Sequence, residues 1–217
     1  MEFMLDTADL IQIEEGIDTY PVDGVTTNPS ILKASLPFDY YEHLRAIKKL
    51  CGGRTFHVQL GSPDCEGMLK EAHEIWNELG RDVYLKIPVT QEGVKAIKAV
   101  KALGGRVTAT CIYYPIQGIM AIHAGADYLA PYCNRMAANE IDFYSAISQL
   151  RNLIDRDGYH AKILAASFKN AGQITQAIEA GAHSVTVPPA LLHQCMHSAL
   201  VMDAAAAFEK DHALVRQ

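Results

Sequence analysis

The sequence predicts an α/β protein in which short strands and helices alternate from end to end and close into a single (β/α)8 barrel, with a helical extension at the C-terminus. Three observations predict it. About eight apolar runs rich in β-formers are each followed by a segment with helical spacing, and alternation over roughly 200 residues favours closure over a doubly wound open sheet, the second choice. Polar residues recur at the C-terminal ends of those runs, where barrel sites assemble. The 217 residues, 49% of them hydrophobic, suit one core able to bury about 70% of the unfolded surface, so residues 1–217 are expected to form one domain of the TIM-barrel type.

Composition narrows the partners. A formal charge of −6 and a pI near 5.8 argue against a nucleic-acid backbone as the main partner and suit a soluble, cytoplasmic protein, although small anions can still bind locally. Five cysteines without a CxxC motif fit reduced thiols better than a disulfide framework. The start, Met1 to Asp6, has early acids and no basic segment, so no signal peptide is expected. Val107 to Ala126 carries no formal charge, but Pro115, Gln117, Gly118 and His123 interrupt it, which reads as strand, turn and helix and not as a membrane span.

The elements follow in order. Phe3 to Asp6 reads as a strand, and Thr7 is expected to cap a helix through Leu10, Ile11 and Ile13. Gly24-Val25-Thr26 is a brief strand, and Pro29 opens the next helix. Phe38 to Leu50 has helical spacing and is stopped by Gly52-Gly53. In Thr55 to Leu60 alternation puts His57 and Gln59 on one face, toward a polar lumen. Asp64 to Leu79 is helical, Val83 to Ile87 a strand, and Gln91 to Leu103 a helix capped by Thr90. Strand Val107 to Ile112 precedes a helix near Gln117 to His123, and strand Tyr128 to Tyr132 leads into a polar loop. Ile141 to Ile154 is helical, Lys162 to Ser167 a strand, Gln173 to Ala180 a helix and Ser184 to Val187 the last strand. Gly24, Gly125 and Gly181 read as turns that deliver the chain into strands. Ala199 to Val215 is an alanine-rich amphipathic helix beyond the barrel, either packed as a cap or docked on a neighbouring subunit.

One residue in this pattern is out of place. Lys86 stands inside the apolar run Val83 to Val89, and buried lysines without a partner are rare. In an apolar slot its pKa falls below the ordinary lysine value of about 10.4, which makes a neutral amine able to condense with a ketone. The ordinary alternative is a lysine snorkelling from a strand end or paired with a carboxylate. The barrel geometry then selects the companions at the strand ends: Asp6, Thr26, Asn28, Gln59, Thr110, Tyr132, Arg135 and Ser167. This set holds a carboxylate, amides and hydroxyls for a polyol, a phenol, and a guanidinium for phosphate or carboxylate. It contains no metal cage.

These residues carry a resemblance. Asp6-Thr7, Gly24 to Pro29, Lys86 to Thr90, Ala130 to Arg135 and Ala165 to Lys169, at their joint spacing over nearly the whole chain, resemble the transaldolase family and more narrowly its short fructose-6-phosphate aldolase branch. The resemblance implies Lys86 as a Schiff-base lysine, cleavage of fructose 6-phosphate to dihydroxyacetone and glyceraldehyde 3-phosphate, and no metal or organic cofactor. It also implies that Asp6 and Asn28 contact the donor hydroxyls, that Arg135 and Ser167 hold phosphate, that Tyr132, Gln59 and Thr110 hold a water for proton transfer, and that the chain forms a pentamer or decamer. Transaldolases carry a glutamate and a phenylalanine where this chain has Gln59 and Tyr132, which points to the aldolase branch. Two features depart from that branch: His57 replaces an apolar aromatic, and Met136 to Glu140 lacks glycines found in some relatives.

Rival signals carry less. His193 and His197, with Cys195 between them, have a zinc-compatible spacing but no acid in a metalloprotease pattern, so an exposed or interface helix face is expected. Cys111 and Cys133 are expected to pack as small apolar groups, and His43, His73, His160 and His212 to lie on solvated faces. A transaldolase is the rival within the family, and a non-catalytic sugar-phosphate binding barrel the rival of another class; the latter has no use for a buried Lys86.

Overall fold

The computed structural model describes residues 1–216; Gln217, the last residue of the expected domain, lies outside them. Eight parallel strands form a closed barrel in sequential order: β1 Glu2–Asp6, β2 Gly24–Thr26, β3 Thr55–Gln59, β4 Tyr84–Pro88, β5 Arg106–Ile112, β6 Tyr128–Pro131, β7 Lys162–Ala165 and β8 Ser184–Val187. Closure is made by β1 against β8, with Glu2 beside Ser184 and Leu5 beside Val187. The open-sheet alternative is thereby excluded.

Helices return the chain between strands: α1 Leu10–Thr19, α2 Pro29–Ala34, α3 Tyr40–Cys51, α4 Cys65–Leu79, α5 Gln91–Ala102, α6 Pro115–His123, α7 Cys133–Ala138, α8 Phe143–Asp157, α9 Ala171–Glu179 and α10 Pro189–Met196. The main core lies between these helices and the outward faces of the strands, where Leu5, Val25, Val58, Leu85, Ile87, Val107, Leu129 and Val185 are buried. A smaller apolar plug of Met4, Tyr128 and Leu164, with Tyr84 against it, fills the lower lumen. Strand alternation therefore sends Leu85 and Ile87 outward and Lys86 inward.

Several expectations change on local grounds. The cap of α1 is Asp9, whose carboxylate accepts from the N–H groups of Ile11 and Gln12; Thr7 sits two residues earlier, accepting from the Asp9 N–H. Thr90 does cap α5, accepting from the Gly93 N–H at 2.9 Å. Gly24 is not a turn but the first residue of β2, and a Cβ there would lie 2.0 Å from the Thr55 hydroxyl, so the glycine permits close strand approach. Gly125 and Gly181 are turn glycines, with φ of 95° and 101°. The segment after β6 is the short helix α7, in place of a polar loop: its first N–H groups, from Cys133 and Asn134, find the carbonyls of Ala166 and Ser167. Strand β7 ends at Ala165, short of Ser167.

The last helix, α11 Ala199–Val215, buries none of its residues. Leu200, Phe208, Leu214 and Val215 are largely exposed, which removes the reading of a cap packed on its own barrel. His43 is half-buried, stacked on Phe38 at 4.1 Å with its Nε2 2.8 Å from the Ala8 carbonyl, and so does not lie on a solvated face. Among the described residues no helix is long and apolar enough to cross a membrane.

Candidate active site

Lys86 is 6% exposed, and its ammonium nitrogen donates to the Thr27 carbonyl at 2.8 Å in the turn between β2 and α2. Burial lowers its pKa below that of an ordinary lysine; Asp6 and then Cys111 act in the opposite direction without cancelling it. Asp6 is half-buried on the rim of β1, and desolvation raises its pKa, offset in part by Lys86 and by a hydrogen bond from Thr26. Each group thus loses hydration and keeps only part of the compensation that the other's charge offers.

Hydroxyls hold Asp6 in place. Thr26 donates to its Oδ1 at 2.7 Å, and the Thr186 hydroxyl lies 2.7 Å behind Thr26, so a buried relay runs from β8 through β2 to β1. Thr26 and Thr186 stand on alternate strands, β2 and β8, to either side of β1, so their inward side chains meet in the lumen, and Asp6 is the register partner of Thr26.

On the far side, Thr110 donates to the Tyr132 hydroxyl at 2.9 Å and the Cys111 thiol approaches it at 3.6 Å. Successive residues of a regular strand cannot both face inward. A register irregularity between Ala109 and Ile112 and a left-handed backbone at Cys111, φ 60°, let both do so. Cys111 is therefore a half-buried group lining the cavity, not the small apolar packing group expected from the sequence. Burial raises the Tyr132 pKa, so the phenol keeps its proton, and with Thr110 donating to it that proton is free to point into the cavity. The Arg135 guanidinium lies over the Tyr132 ring at 4.9 Å, and Tyr113 meets the same ring edge-on at 5.9 Å.

Asp6, Asn28, Gln59, Lys86, Tyr132, Arg135 and Ser167 line one cavity of about 660 Å³ at the C-terminal end of the barrel. Thr26 and Thr110 stand one hydrogen bond behind it. Asn28 caps α2 through its Oδ1, which accepts from the Ile31 N–H at 3.0 Å and leaves its amide NH₂ available to a ligand. Ser167 has a left-handed backbone, φ 63°, directly after Ala166, which bridges to Tyr132. All nine expected residues are brought together. Sequence reading missed Cys111, Asn134, Ser30 and Lys169 on the cavity wall and Thr186 behind it. For Asn134 and Lys169 the signal was present, since each lies within a rim motif.

Two buried polar atoms beside Lys86 have no protein partner: Oε1 of Gln59 and Nε2 of His57. His193 and His197 stack on each other at 4.0 Å, and among the described residues no three His, Cys, Asp or Glu side chains converge as a metal site.

A closed parallel barrel with a lysine desolvated among carboxylate, phenol and guanidinium at its C-terminal mouth defines the lysine-bearing class of (β/α)8 barrels. Residues 3–216 match the family model described as Transaldolase/Fructose-6-phosphate aldolase. Over 187 residues the chain is also 50% identical to a protein of Streptococcus pneumoniae (strain ATCC 700669 / Spain 23F-1) named probable fructose-6-phosphate aldolase, a match covering 86% of this chain and 84% of the relative. The chain belongs to the transaldolase/fructose-6-phosphate aldolase family.

Proposed function

We propose that this protein is a Schiff-base aldolase that cleaves fructose 6-phosphate reversibly to dihydroxyacetone and glyceraldehyde 3-phosphate. The observation that carries the reading is the desolvated Lys86 amine in a cavity that also presents the Tyr132 phenol. Neutral Lys86 attacks the ketone carbon and, with uptake of one proton and loss of water, forms a protonated imine. Deprotonation of the hydroxyl on the fourth carbon breaks the bond between the third and fourth carbons. The electron pair moves to the imine nitrogen, giving an enamine, and glyceraldehyde 3-phosphate leaves. Protonation of the enamine carbon and attack of water on the resulting imine release dihydroxyacetone and restore the amine.

The cavity supports a role for each residue. Asp6, steadied by Thr26, and Asn28 hold the donor hydroxyls; Arg135 and Ser167 hold the phosphate; Tyr132, Gln59 and Thr110 position the water that carries protons. A free phenol proton favours release over transfer, because it assists enamine protonation before a second aldehyde arrives. We place the protein in the cytoplasm, in keeping with its free cysteines, and read it as one domain whose α11 joins subunits of a pentamer or decamer, in keeping with the exposed apolar side chains of that helix.

The test is cleavage of fructose 6-phosphate with and without an acceptor aldose phosphate. Release of free dihydroxyacetone without acceptor supports the reading. Inertness without acceptor and efficient transfer with it would make the protein a transaldolase, and no turnover in either arm would leave a sugar-phosphate binding barrel.

A further inference from the structure

The mechanism above leaves His57 unused, yet it is a fully buried titratable side chain inside the lumen of the barrel. It lies on β3 two residues before Gln59, on the same inward face, and in the register of β3 with β4 Gln59 stands beside Lys86 and His57 beside Tyr84. Its ring is stacked on Tyr84 at 4.6 Å and meets the edge of Tyr128 at 5.2 Å, which fixes its plane. Nδ1 lies 2.8 Å from the Thr108 hydroxyl.

We propose that His57 is a positioning residue for Gln59, which it holds through one buried water that accepts from the Nε2–H of His57 and donates to Oε1 of Gln59. Both atoms are buried without a protein partner, and buried polar atoms are almost always satisfied by protein or by water. Their chemistry is complementary. When the Thr108 hydroxyl donates to Nδ1, the imidazole proton resides on Nε2 and needs an acceptor; Oε1 is an acceptor and needs a donor. Side chains two apart on a strand face leave their backbones separated by about 7 Å, a spacing that one water can span between two polar side chains.

The groups facing the ring are Tyr84 and Lys86 from β4, Thr108 from β5 and Tyr128 from β6. Burial, reinforced by the Lys86 charge, keeps the imidazole neutral, so it has a single N–H to give. With Oε1 tied below, the Gln59 amide NH₂ is directed up to the cavity, where the proposed proton-carrying water is held. The inference rests on the aldolase reading for its kinetic consequence alone.

Crystals of the wild type, His57→Phe and His57→Gln test it together with their kinetics. The wild-type map should show a water within hydrogen-bond distance of both atoms; His57→Phe, which keeps the stacking on Tyr84, should lose it, and His57→Gln, whose amide N–H reaches the same place, should regain it. Cleavage should lose about ten-fold in kcat in His57→Phe with KM changed less than about two-fold, and recover in His57→Gln. A wild-type map without that water, or a His57→Phe enzyme with unchanged kcat, overturns the inference. A water that appears and disappears as expected in a protein that forms the Lys86 imine but does not cleave fructose 6-phosphate upholds it while overturning the substrate assignment.

Discussion

Tyr132→Phe removes one oxygen and leaves almost everything else. The ring keeps its place, because Arg135 at 4.9 Å and Tyr113 at 5.9 Å contact the π-face and edge, which phenylalanine also presents. What is lost is the acceptor for the fully buried Thr110 hydroxyl and the donor aimed at the cavity. An unpaired buried hydroxyl costs about 1 to 3 kcal/mol, so the melting temperature should drop by a few degrees without loss of fold. A positioned proton-transfer group contributes roughly 10²- to 10⁴-fold, about 2.7 to 5.4 kcal/mol, and the variant should lose release of dihydroxyacetone from fructose 6-phosphate by a factor in that range. Imine formation at Lys86 should persist, since neither Lys86 nor Thr27 is touched. The assay is coupled detection of free dihydroxyacetone alongside borohydride trapping of the imine. Release within about three-fold of wild type, or trapping that falls in parallel with release, would refute the role given to the phenol.

Further outcomes follow from the same site. Lys86→Met should abolish turnover and leave a folded protein; because burial depresses the lysine pKa, the unfolded chain binds more protons, so wild-type stability should rise relative to the variant as pH climbs toward 10.5, as unfolding at a series of pH values would record. Asp6→Asn should show the opposite trend: a carboxyl whose pKa is raised by burial penalises the folded state above that pKa, so the wild type should lose ground to the variant as pH rises from 3.8. Arg135→Ala should raise the KM for phosphorylated aldehydes far more than for unphosphorylated ones, and equal losses on both would mark a structural role. Light scattering should give a pentamer or decamer for the full chain and a smaller species when residues 199–217 are removed; a monomeric full chain would contradict the role of α11.

Much of this was legible in the sequence because barrel strands are short, apolar and directly followed by capped helices. Val83 to Ile87 reads as a buried strand, which made Lys86 conspicuous, and alternation correctly turned His57 and Gln59 inward. The failures have local causes. Cys111 was expected to pack as a small apolar group, but a register irregularity near the end of β5 turns its thiol into the cavity. Helix α7 was hidden because six residues are too few to show helical periodicity, and its carbonyl partners, Ala166 and Ser167, are distant in sequence. The unpacked state of α11 was beyond reach, since an apolar helix face reads the same whether it meets its own barrel or another chain. The orphan atoms of His57 and Gln59 emerge only from a hydrogen-bond inventory in three dimensions.

The central claim is that Lys86 is the covalent centre, and borohydride reduction in the presence of dihydroxyacetone followed by peptide mapping tests it most directly. The account predicts a single adduct on the peptide containing Lys86, absent in Lys86→Met. An adduct on another lysine, or no adduct in a protein that turns over fructose 6-phosphate, would contradict it.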